Sequence, residues 1–174
     1  MKTILKEFEE IATYYIHALE GYTPEEFRRK PSAEEWSMSQ LYNHLITAAF
    51  HMQIKGIEDC EQMQHPSQGE KTAAAAAIFA AGVFPPIKVK VPSKPGYTPD
   101  YSTDKEEITE RLYQVIEEMR SIEERLSTIP EDSKVQHPAF GYLNAVEWFR
   151  LVPMHFTHHL RQKEAIDRFL RHTA

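Results

Sequence analysis

The feature that most constrains this chain is a spacing. Ile4, Phe8, Ile11, Tyr15 and Leu19 recur every three or four residues. That is the period of an α-helix, so the five side chains line one face. Lys6, Glu7, Glu9 and Glu10 fall largely elsewhere and read as a solvated face, and Gly21 supplies a stop signal. The same reading gives three more helices. One runs over about 37–63 with Leu41, His44, Leu45, Ala48, Met52 and Ile54 on its stripe. It has two candidate starts: Ser32 with Glu35 as a capping box, or Ser37 as N-cap. Another runs over about 104–127, capped by Thr103, with Ile108, Leu112, Val115, Met119, Ile122 and Leu126 as a narrow, nearly heptad stripe. The last runs over about 144–171, around Val146, Phe149, Leu151, Val152, Phe156 and Leu160.

Four amphipathic helices in one 174-residue chain imply an all-α fold. The expected architecture is a four-helix bundle forming one domain over 1–174, with a long connection between helices two and three. That connection, 64–102, contains the alanine-rich run Ala73–Phe84, which predicts a short helix. The stretch "PPIKVKVPSKPGYTPDY" follows, with five prolines, and reads as extended, irregular chain. It serves either as a functional loop or as a strap over the bundle. A short "IKVKV" is its only strand signal, and no strand-turn-strand pattern competes elsewhere.

Charge and cysteine content narrow the function. The formal net charge is −6, so no basic footprint exists for nucleic acid or an anionic membrane surface. A single cysteine, Cys60, excludes an internal disulfide and favours a reducing, cytoplasmic setting. It lies without an adjacent base and reads as an ordinary small residue. The N-terminus has no apolar signal region, and no apolar run is long enough to cross a bilayer.

The chemistry sits in "VPMHFTHHLRQKEAI" (Val152–Ile166). His155 and His159 are one helical turn apart and can reach one cation, whereas His158 lies on the other side of His155. With nine histidines in the chain, about 0.4 such pairs are expected by chance. Spacing therefore leaves two readings open: metal ligands, or helix histidines satisfied by hydrogen bonds. His44 sits among Leu41, Leu45 and Ala48 and points to the core, where an imidazole needs a partner. His51, two turns on, is a reserve ligand. Trp148 is either a pocket wall or core, and Glu147 and Gln162 are candidates to orient the ligands. Arg161 reads as exposed. No Gly-rich phosphate loop, Gly-x-Ser-x-Gly or Cys-x-x-Cys is present.

Two blocks carry a resemblance. "EEWSMSQLYNHL" (Glu34–Leu45) is similar to the second-helix signature of the DinB-like superfamily, Trp-Ser followed by His-Leu. "HPAFGYLNAVEWFRLVPMHFTHHLRQ" (His137–Gln162) resembles its last-helix signature: Phe-Gly, Glu-Trp, then His-x-x-x-His closing on glutamine. Many relatives read His-Arg-Gly-Gln where this chain reads "HLRQ". The resemblance implies a four-helix bundle holding a divalent metal on His44, His155 and His159. Zinc is the default for such nitrogen ligands, with nickel and iron as alternatives. Bacillithiol transferases and mycothiol-dependent maleylpyruvate isomerases are among the relatives. The resemblance therefore implies a thiol S-transferase or related hydrolase acting on a small molecule, with a low-molecular-weight thiol as partner. The competing expectation is a non-catalytic binding module. As a homodimer, it would use the stripe of the third helix and the alanine segment as its surface.

Overall fold

The computed structural model describes residues 2–63, 65, 67, 69–85 and 102–172. The expected "IKVKV" strand and most of the proline-rich stretch lie outside the described residues. Four long rods form the bundle. They are α1 (Lys2–Glu20); α3 (Met38–Ala48) continued through a π turn (Ala49–Ile54) into α4 (Lys55–Glu61); α6 (Lys105–Leu126); and α7 (Ala145–His172). α1 and the α3–α4 rod each pack against both α6 and α7.

Local chemistry sets the boundaries. Ser37 caps α3: its hydroxyl accepts from Gln40 N, and Gln40 Oε1 accepts from Ser37 N, a reciprocal capping box. The alternative start at Ser32 is not used, because 29–37 runs as an irregular approach to that cap. Asp104, rather than Thr103, caps α6, accepting from the amides of Glu106 and Glu107. The alanine run forms α5 (Ala73–Ala81), ended by Gly82 at φ 68°.

Three features depart from expectation. A short helix, α2 (Pro24–Arg28), follows α1, with Thr23 and Glu26 forming a capping box and Pro24 in the first turn. A hairpin of β1 (Lys134–His137) and β2 (Gly141–Asn144) precedes α7. Each strand has only four residues, too few for alternation to register. Gly141, at φ 76°, lies so close to Glu70 O that a Cβ would meet it at 2.5 Å. The chain before α5 lies against this hairpin as a strap, with Tyr142 N donating to Glu70 O and Thr72 N to Phe140 O. Third, the stripe of α6 is not a free dimer surface. Ile108, Leu112, Val115, Met119, Ile122 and Leu126 are all buried within this chain's own core.

The core centres on Phe8, Tyr15, Tyr42 and Phe156, whose rings meet edge to face. Such contacts contribute about 0.5–1.5 kcal/mol each beyond burial. Both buried hydroxyls are paired: Tyr15 donates to Phe156 O and Tyr42 to Tyr15 O, so they tie α1 to α7 and α3. This packing fixes α3 against α7, the two helices that carry the histidines.

Candidate metal centre

His44 projects from α3, and His155 and His159 from successive turns of α7. The three rings converge. His155 Nε2 lies 3.1 Å from His44 Nε2 and 3.1 Å from His159 Nε2. One ligand atom from each residue lies within 4.8 Å of the others. Two nitrogens sharing a tetrahedral ion at zinc–nitrogen bond lengths sit about 3.3 Å apart. The spacing therefore fits a shared cation. Neither a carboxylate nor a carbonyl joins the three Nε2 atoms among the described residues.

Protonation also suits metal binding. Burial, the largest cause, lowers the pKa of His44 to about 4 and of His159 to about 3, and the neighbouring imidazoles add to the effect. His155 is held well below the ordinary histidine value for the same reason. All three are neutral at pH 7 and keep a lone pair. Gln162 Oε1 accepts from His159 Nδ1 at 2.9 Å, which leaves Nε2 of that ring bare and facing the cluster. The donor set therefore fits a divalent ion.

The family model for the DinB superfamily matches residues 7–162. The chain belongs to the DinB superfamily. No curated protein and no solved structure matches it. The two DinB-like blocks of sequence are thus the two helices that meet at the histidine cluster.

Of the remaining candidates, His158 lies beside the cluster and the others lie elsewhere in this DinB fold. His51 is exposed, because the π turn absorbs an extra residue and breaks the register with His44. The same turn exposes Met52 and buries Gln53. Trp148 is core: it packs against Gly56 of α4 and His137 of the hairpin, away from the cluster. Glu147 stands at the start of α7. It accepts from Asn144 N, closes a cap with the Asn144 side chain and pairs with Lys71 of the strap. His158 flanks the cluster, in ring contact with His159 and with Phe84. Cys60 is buried, which pushes its thiol up to about 11. The expectation of an inert side chain agrees with that placement.

Trp36 is the site residue that sequence reasoning did not single out. Its indole lies 4.8 Å from the His44 ring and stacks at 6.3 Å, within 14° of parallel, on His159. It stands immediately before the α3 cap, within the quoted "EEWSMSQLYNHL" block. No helical spacing links it to His44, so only the motif carried a signal.

Among the described residues, no helix is long and apolar enough to cross a membrane.

Proposed function

We propose that this chain is a divalent-metal-dependent enzyme acting on a small molecule, with His44, His155 and His159 as ligands. The observation that carries the proposal is the meeting of three Nε2 atoms, from neutral imidazoles on two helices. Three protein ligands leave a coordination position open, the mark of a catalytic rather than a structural site. Zinc is the default ion, and nickel and iron accept the same donors. When bound, such an ion supplies a Lewis acid that brings the pKa of a thiol or water toward neutrality.

The finer reading is a thiol S-transferase, with hydrolysis as its water-using counterpart. It draws on the likeness of the two sequence blocks to thiol-dependent relatives. In the transfer, a low-molecular-weight thiol gives up its proton to solvent, its sulfur bonds to an electrophilic carbon, and the leaving group departs with the electron pair of the broken bond and takes up a proton from solvent. The chain's own side chains prepare the site. Gln162 fixes the tautomer of His159, and Trp36 sets an apolar face against two of the rings. A reducing cytoplasm suits such a thiol.

The test is elemental analysis of untagged protein, followed by His44→Ala and His155→Ala. A stoichiometric divalent ion in the wild type, lost in both variants, is expected. A wild type that stays empty after incubation with excess zinc overturns the proposal and favours a non-catalytic bundle. Turnover in a panel of thiols and electrophiles, abolished by His44→Ala, then tests the transferase reading.

A further inference from the structure

A groove runs between α1 and α7, beside the end of α5, with a volume of about 1180 Å³. Of the four exposed large hydrophobic side chains among the described residues, two line it: Tyr14, 48% exposed, and Val83, 53% exposed. Apolar surface gathered in one place and left in water marks an interaction face.

Spacing gives that face its shape. On α7 the groove is lined by Val146, Arg150, Pro153, Thr157, Leu160 and Glu164, at alternating steps of four and three. All six lie within about 60° of Thr157 around the helix, so they form one stripe. Ile4, Ile11 and Tyr14 of α1 form the other wall. A stripe with these steps is one that a second helix can pack along. His155 and His159 each stand about 160° around α7 from Thr157, so the histidine cluster occupies the opposite face.

Charge names the occupant. Thr157 is exposed and lies at a midpoint: Arg150 is seven residues before it and Glu164 seven after. Each is about 10.5 Å from Thr157 along the axis and about 20° to one side. A second α7 laid antiparallel on the first, with the two Thr157 residues opposed, therefore brings Arg150 of each copy to Glu164 of the other. The same pairing sets Leu160 of one copy near Pro153 of the other. Arg150 is held at the groove by one bond, from Nη2 to Phe79 O at 3.2 Å, which uses one of its five N–H groups. A two-fold pair needs a surface that is complementary to itself, whereas an unrelated partner has no need of this symmetry. We propose that the groove is a homodimer face, on which two copies of the chain pair through α7 and α1. It lies apart from the α6 stripe, which the core consumes. The pairing requires no metal, so it stands or falls separately from the histidine site.

Sedimentation velocity over a concentration series tests it. The wild type is expected to be a dimer. Glu164→Arg sets guanidinium against guanidinium at both ends of the pair, and Arg150→Glu sets carboxylate against carboxylate. Each is expected to weaken self-association about tenfold or more. Mixing the two variants restores opposite charges at both ends, so a mixed dimer close to wild-type affinity is expected. Thr157→Arg places like charges at the centre and is expected to give monomer while leaving the bond from Arg150 to Phe79 in place. A wild type that is monomeric at every concentration overturns the proposal. A dimer indifferent to both Glu164→Arg and Thr157→Arg puts the interface elsewhere and overturns it as well. Single variants that dissociate yet form no mixed dimer overturn the antiparallel pairing of Arg150 with Glu164. Circular dichroism checks the fold of Arg150→Glu, which loses the bond to Phe79. If that variant does not fold, Glu164→Arg and Thr157→Arg still decide.

Discussion

The Nε2 atoms of His44 and His155 lie 3.1 Å apart although 111 residues separate them in sequence. Two bare imidazole nitrogens repel at that distance, and a shared proton or cation reconciles them. A cation that binds only the folded chain stabilises it. Zinc at a hundred times its dissociation constant is worth about 2.7 kcal/mol. For a chain of this length, the expected rise in melting temperature is about 5–10 °C. Thermal scans with and without zinc check this, and His155→Ala should abolish the rise.

Gln162 sets the tautomer of His159 through Nδ1. Gln162→Leu removes that acceptor and is expected to lower metal affinity about ten- to hundredfold with little change in stability. Gln162→Glu keeps an acceptor and should hold the ion. Equal affinity in all three proteins, measured by chelator competition, would remove Gln162 from the site.

Acid should destabilise the metal-free protein in a defined window. The buried imidazoles of His44, His159 and His137 have pKa values lowered from 6.5 to about 4, 3 and 4, with burial as the main cause. Below pH 6.5 the unfolded chain takes up protons that the folded chain refuses, so stability falls as pH falls. Their contribution is complete above 6.5 and is lost progressively on the way down to about 4 for His44 and His137 and to about 3 for His159. Urea midpoints measured from pH 7.5 to 4 test the sign. A flat profile would contradict the burial of these rings.

Gly56→Ala should destabilise the fold. The new Cβ would sit 2.5–2.9 Å from three carbons of the Trp148 ring, a rigid face held in the core. Overpacking of this kind costs about 1–3 kcal/mol. The urea midpoint should drop while the slope of the transition stays constant.

Lys163 is a buried cation, 3% exposed, with its ammonium 2.9 Å from Asp167 and above the rings of Tyr14 and Tyr22. Tyr22 also donates to Asp167. Lys163→Met strands the carboxylate. Because Asp167 keeps some exposure, the loss is expected near the lower end of about 3–5 kcal/mol. Lys163→Met with Asp167→Asn should recover part of it, and a double-mutant cycle measures the coupling.

Much of this was legible along the chain. The stripes of α1 and α6 proved to be core faces because a helix writes its period into its own sequence. Ser37 caps α3 because its hydroxyl and Gln40 need only each other. His155 and His159 were recognisable as one-turn neighbours for the same local reason. The π turn was not legible. Its i→i+5 bonds leave no distinctive period, so helical spacing places His51 and Met52 inward and leaves Gln53 off the stripe. The hairpin was too short to alternate visibly. Trp36 precedes its helix, where no periodicity applies.

The sequence by itself determined the helices, their caps and which rings share a face, since each depends on bonds and contacts within a few residues. Only the tertiary structure decided that His44 meets His155, that Trp36 covers two of the rings and that Trp148 belongs to the core. Those relationships depend on how α3 and α4 slide and turn against α7. That register is set by the summed packing of many side chains distant in sequence, and no single stretch of the chain contains it.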